Sequence, residues 1–111
     1  MKLRGAEAEQ RASRYLQQHG LKLQQSNYHC RYGEIDLIML DGETLVFIEV
    51  RLRNNAAFGG AAASVDARKQ DKLIKTAQHY LGTLKKIPPC RFDVVALEGD
   101  DINWLKSAFS L

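Results

Sequence analysis

The sequence predicts a single α/β domain, a mixed β-sheet flanked by helices in the order α-β-β-β-α-β with a short final element. Three observations carry that prediction. Two β-rich runs meet at Asp41-Gly42, a helical stripe stands on either side of them, and an apolar strand follows the second stripe. At 111 residues the chain fits one domain, 1–111, large enough to bury a core without disulfide or metal staples.

Residues 3–19 read as a helix, because Ala8, Ala12, Tyr15 and Leu16 recur at spacings of three and four while Arg4, Glu7, Arg11, Arg14 and Gln18 stay outside the stripe. Gly20 stops it from the C′ position. Residues 21–31 alternate loosely and are expected as a strand with Tyr28 and Cys30 on one side. Residues 34–40 and 44–52 are β-rich, and Asp-Gly between such runs signals a two-residue hairpin turn whose central residues need φ > 0. Residues 54–64 are small, uncharged and glycine-bearing, so a mobile loop is expected there. Asp66 can cap the next helix, whose stripe is Leu73, Ile74, Ala77, Tyr80, Leu81 and Leu84. Pro88-Pro89 ends that segment, 92–97 is an apolar strand, and 102–109 is a short closing strand or turn of helix. A helix between the third and fourth strands implies a right-handed crossover and parallel pairing.

Composition narrows the function classes. The 45% hydrophobic and 26% charged fractions are ordinary for a water-soluble domain. No apolar run approaches the roughly 18 residues of a membrane span, and the N-terminus reads as a charged helix rather than a secretory signal. The chain is therefore expected in the cytoplasm and away from membranes. Cys30 and Cys90 lack CxxC spacing and read as reduced, packed thiols; Cys30 follows His29, but no second Cys/His cluster completes a zinc set. A net charge of +3 permits a polyanionic partner.

The hairpin carries the chemistry. A turn at Asp41-Gly42 pairs Leu40 with Glu43, Ile38 with Leu45 and Asp36 with Phe47, so one face holds Glu34, Asp36, Ile38, Phe47, Glu49 and Arg51. The other face, from Ile35, Leu37 and Met39 to Val46, Ile48, Val50 and Leu52, is wholly apolar and is expected as core. Asp36 and Glu49 become diagonal neighbours, with Cα atoms about 7–8 Å apart. Two carboxylates at that spacing repel each other and can share a hard cation such as Mg²⁺, which takes one or two carboxylates and keeps waters for a phosphate. The competing reading is a solvated face on which Arg51 and Arg53 neutralise the acids. On the second helix Arg68, Lys72 and Lys75 lie at i, i+4 and i+7 with Lys69 beside them, the distribution of a phosphate-contacting surface and also of an ordinary solvated helix face.

Three segments, 33–38 (Gly-Glu-Ile-Asp-Leu-Ile), 45–51 (Leu-Val-Phe-Ile-Glu-Val-Arg) and 91–95 (Arg-Phe-Asp-Val-Val), resemble the YraN-like family of uncharacterised bacterial proteins. Gly5, Glu9, Ala12, Tyr15-Leu16 and the 69–81 helix extend the resemblance over nearly the whole chain. Those proteins are in turn similar to archaeal Holliday junction resolvases and to the PD-(D/E)XK nucleases. The resemblance implies a restriction-endonuclease-like fold and a Mg²⁺- or Mn²⁺-dependent hydrolase that acts on DNA, in preference to RNA and with branched DNA in view. It admits a homodimer, since resolvase-like proteins work as dimers. Asp36 and Glu49 match the metal-binding acids, and Glu9 matches an acid placed beside the site by the first helix. Arg51 stands where the motif has lysine. Arginine keeps a lysine's donor role but stays protonated and cannot act as a base. Two functions therefore stay open: an endonuclease with Asp36, Glu49, Arg51 and Glu9 as its catalytic set, and a catalytically impaired nucleic-acid-binding module of the same fold. For either, Arg53, Arg68, Lys69, Lys72 and Lys75 are the residues expected to meet nucleic acid. Glu34 is open between an extra ligand and a rim acid.

Overall fold

The computed structural model describes residues 5–52 and 65–110. Seven elements follow in order: α1 (Gly5–Gln18), β1 (Lys22–Cys30), β2 (Gly33–Asp41), β3 (Thr44–Leu52), α2 (Ala67–Leu81), β4 (Cys90–Glu98) and β5 (Asp101–Phe109). The strands form one five-stranded sheet in the order β1-β2-β3-β4-β5. All neighbouring strands are antiparallel except β3 and β4, which are parallel and flank α2 in sequence. The mixed α/β class, the two helices and the parallel step agree with the sequence expectation. The closing element differs, because 101–109 is a full nine-residue strand. No helix among the described residues is long and apolar enough to cross a membrane. The 54–64 segment and Arg53, for which a mobile loop and a nucleic-acid contact are expected, lie outside the described residues.

Helix α1 ends as its sequence dictates. Gly20 takes φ 95, its N–H donates to the Gln17 carbonyl and the Leu21 N–H to that of Leu16. That is the paired closure of a Schellman motif, and Leu16 and Leu21 are buried together behind it. Asp66 caps α2 by accepting from the Lys69 N–H at 2.9 Å.

Both faces of the sheet are covered. Ala8, Ala12 and Leu16 of α1 pack on Leu37, Met39, Val46, Ile48, Val95 and Leu97. Leu73, Ala77 and Leu81 of α2 pack on Ile38, Phe47, Phe92 and Val94. The face that carries the acids is thus half core, since α2 lies over its Ile38 and Phe47. Leu52, expected in the core, is 43% exposed at the end of its strand. Alternation also breaks in β2: Leu37, Ile38 and Met39 alternate between the two cores, but Ile35 packs on the α2 side, not with Leu37. The break falls at Asp36.

The hairpin register differs from the predicted one. Asp41 pairs with Thr44 and Leu37 with Ile48, which leaves Gly42-Glu43 as the turn. Gly42 takes φ 63, and Asp41 and Glu43 are not among the positive-φ residues. A glycine at the first central position is the II′ pattern, where the sequence reading expects I′ with Asp41 first. The two registers differ by two residues in pair sum, so the shift itself moves no side chain to the other face; Ile35 changes face only through the break at Asp36.

Beside the site, β4 and β5 are stapled by a buried carboxylate. Asp93 is fully buried and accepts from Arg91 Nε at 3.1 Å, Trp104 Nε1 at 2.9 Å and the Ser107 N–H at 2.9 Å. Ser107 takes φ 52 where the β4–β5 ladder shifts register, and its freed N–H turns onto the carboxylate. Arg91 also holds Asp41 at 2.9 Å, which ties this staple to the β2–β3 hairpin.

Candidate functional site

Asp36 and Glu49 stand one step beyond the last ladder pair, Leu37 with Ile48, and in continuation of its register they face each other. That register carried one step further would set the two acids opposite rather than diagonal, although no ladder pair joins them. There the Asp36 side chain takes over a backbone role, its Oδ2 accepting from the Val50 N–H at 2.8 Å. β2 has begun to leave β3, and the carboxylate fills the vacated acceptor position. The bond anchors the acid while its other oxygen remains for a second partner.

Glu49 is 5% exposed, a charge-bearing side chain in a strand that is apolar on both sides. Burial, reinforced by the Asp36 carboxylate and a hydrogen bond to it, pushes its pKa up to about 7, against the pull of Lys69. Glu9 of α1 is half-buried and its pKa is also raised, by burial first and then by Asp36, while a hydrogen bond from Asn27 opposes the shift. The Asp36 carboxylate thus bears on both Glu9 and Glu49, so α1, β2 and β3 each bring one acid to this region. Among the described residues no three His, Cys, Asp or Glu side chains form a group able to hold a metal ion. The donor set that the arrangement offers to a cation is the Asp36–Glu49 pair, with water completing the shell as Mg²⁺ prefers.

Two basic side chains converge on the buried acid. Arg51 Nη1 lies 3.5 Å from Glu49 Oε2, and Lys69 Nζ from the first turn of α2 lies 3.3 Å from the same oxygen. Lys69 thus leaves the surface group in which its sequence position places it. Arg68 and Lys72 remain exposed on α2, and Lys75 pairs with Asp71 at 3.1 Å. Glu34 stands at the rim, its side chain 59% exposed and 3.4 Å from His29 Nδ1. An open groove of about 470 Å³ between α1 and β1 is lined by Glu9, Gln10, Ser13, Arg14, Ser26 and Asn27.

The structure brings Glu9, Asp36, Glu49 and Arg51 near one another. Sequence reasoning gave no role to Asn27 and missed the reach of Lys69. Asn27 has φ 52 inside β1, and an asparagine in a polar strand is the side chain that tolerates such a kink. Lys69 had a signal too: a lysine in the first turn of a helix opposes the macrodipole and calls for an anionic partner.

The profile of the uncharacterised protein family UPF0102 matches residues 8–97. A UPF0102 protein of Nitrosospira multiformis is 52% identical over 100% of this chain and 96% of its own length. One from Cupriavidus pinatubonensis is 58% identical over 97% of this chain and 86% of its own length. One from Psychromonas ingrahamii is 53% identical over 96% of this chain and 88% of its own length.

Proposed function

This chain belongs to the uncharacterised family UPF0102, and we propose that it is a metal-dependent phosphodiesterase of restriction-endonuclease-like fold that acts on DNA, branched DNA included. One observation carries the reading: a carboxylate 5% exposed, opposed by a second acid and met by two basic side chains at 3.3 and 3.5 Å. Paired acids at a strand fork with cations beside them suit a divalent ion and a phosphate better than they suit stability, because burying like charges costs free energy.

The residues fit Mg²⁺ or Mn²⁺. Asp36 and Glu49 are hard oxygen donors, and a cation would relieve both the desolvation of Glu49 and its repulsion by Asp36. When bound, the ion supplies Lewis-acid polarisation of the phosphoryl oxygen and lowers the pKa of a water. In hydrolysis a water oxygen bonds to phosphorus, the P–O ester bond breaks, and the leaving oxygen takes a proton. Arg51 offers fixed N–H donors to the charge that gathers on the phosphate, and it cannot accept a proton. Glu9 retains a proton to higher pH than an ordinary glutamate, which suits it to proton exchange beside the reacting atoms. Arg68 and Lys72, exposed on α2, would contact backbone phosphates.

A second reading, a binding module without catalysis, is favoured by Arg51 at the motif's lysine position. One experiment separates the two. The wild type and Asp36→Asn are incubated with a four-way junction and with linear duplex in Mn²⁺, Mg²⁺ or EDTA. The phosphodiesterase reading expects cleavage that needs the metal and disappears in Asp36→Asn. Junction binding without cleavage by the wild type overturns it in favour of the binding module.

A further inference from the structure

Lys69 occupies an improbable place for a cation. It is the third residue of α2, where the N-terminal end of the helix dipole repels positive charge, and the acid at that end is the N-cap Asp66, whose carboxylate is engaged by the helix backbone. Its backbone N–H is held by Asp66 at 2.9 Å. From that anchor the side chain runs back to the sheet and ends 3.3 Å from Glu49 Oε2, while Arg68 and Lys72 of the same helix point to solvent. The Lys69 side chain is still 39% exposed, so it has water to move into. Arg51 meets the same oxygen from two residues along β3, on a short tether within the strand. The two cations are not equivalent. A guanidinium is planar and delocalised, whereas an ammonium on a four-carbon stem is a compact charge whose three donors rotate freely.

We propose that Lys69 is the resident cation of the acid pair: its ammonium holds Glu49 until a divalent ion displaces it, and the displaced amine then donates to the phosphate of the substrate. The exchange at Glu49 concerns only the acids and the ion; the phosphate step rests on the phosphodiesterase reading.

Mn²⁺ is titrated calorimetrically, without DNA, into the wild type, Lys69→Gln, Lys69→Arg, Lys75→Gln and Asp36→Asn. Removing a competing charge at this distance is expected to tighten Mn²⁺ binding in Lys69→Gln by roughly fivefold or more. Lys69→Arg keeps the charge, and Lys75→Gln removes one farther along the helix, so both are expected to stay within about twofold of the wild type. Equal affinity in Lys69→Gln and the wild type overturns the exchange. If Asp36→Asn abolishes binding in that case, the metal site survives and only the role of Lys69 falls. Binding unchanged in Asp36→Asn, or none by either the wild type or Lys69→Gln, removes the metal site and the exchange together. For the phosphate step, Lys69→Gln at saturating junction DNA is expected to cleave about 10²-fold more slowly with unchanged DNA affinity. Weakened DNA binding at an unchanged saturating rate would return Lys69 to the role of a backbone contact.

Discussion

Glu49→Gln tests the electrostatics of the site without any substrate. Glutamine keeps the shape of the side chain and removes the buried charge. The folded chain holds the Glu49 proton more tightly than the unfolded chain, with the pKa raised from 4.5 to about 7. Stability from that proton is fully present below about 4.5 and is lost as pH rises through about 7. At about 1.4 kcal/mol per tenfold, the full loss is roughly 3 kcal/mol. The introduced amide would itself face Lys69 and Arg51 without a charge to offer them, which trims the net gain of the variant to about 1–3 kcal/mol at pH 8. Thermal unfolding followed by circular dichroism in EDTA, from pH 5 to pH 8, measures it. The two proteins are expected to have similar Tm near pH 5, where Glu49 is largely protonated. The variant is then expected to pull ahead through pH 7 by roughly 4 °C for each kcal/mol. A Tm difference that does not change with pH, or a variant less stable than the wild type at pH 8, would refute the reasoning. Either result would mean that the Lys69 and Arg51 pairs outweigh burial and the repulsion from Asp36.

The scaffold yields three further expectations, each read by denaturant unfolding. Arg91→Met takes two N–H donors from the buried Asp93 and one from Asp41, and is expected to cost about 3 kcal/mol, as broken buried pairs do. Leu16→Ala empties a fully buried position under α1 that also closes the Schellman motif, with an expected loss of about 2–5 kcal/mol. Gly42→Ala puts a Cβ on a residue with φ 63 in the turn that sets the register of the acid hairpin, and is expected to lose about 1–2 kcal/mol. Costs near zero for any of the three would show that its named interaction does not support the fold.

The legible parts of the site were those fixed by period and parity. Strand alternation puts Asp36, Glu49 and Arg51 on one face even with the turn read at Asp41-Gly42 instead of Gly42-Glu43, because registers two residues apart preserve every face. The helix stripes were legible for the same reason, since Ala8, Ala12 and Leu16, and Leu73, Ala77 and Leu81, repeat at helical spacing into two separate cores. The break at Asp36 was not legible. Only the packing of Ile35 under α2 and the Val50 N–H on Asp36 reveal that β2 departs there. The last strand was obscured by its irregularity around Ser107, although Gly99-Asp100 between two β-compatible runs is itself a hairpin signal. The position of Lys69 in the first turn of α2 signals an anionic partner, but which acid it meets depends on how α2 crosses the sheet, a tertiary fact. Local periodicity placed the acids; packing decided which of the cations reaches them.

The central claim is that the Asp36–Glu49 pair binds a divalent ion, and paramagnetic broadening locates such an ion directly. In ¹H–¹⁵N spectra of the wild type and Asp36→Asn, Mn²⁺ is added at substoichiometric amounts. The account predicts that the amides of Asp36, Glu49, Val50 and Lys69 broaden first in the wild type and stay sharp in the variant. Broadening centred elsewhere, for example on His29 and Glu34 at the rim, or the same pattern in both proteins, would contradict it.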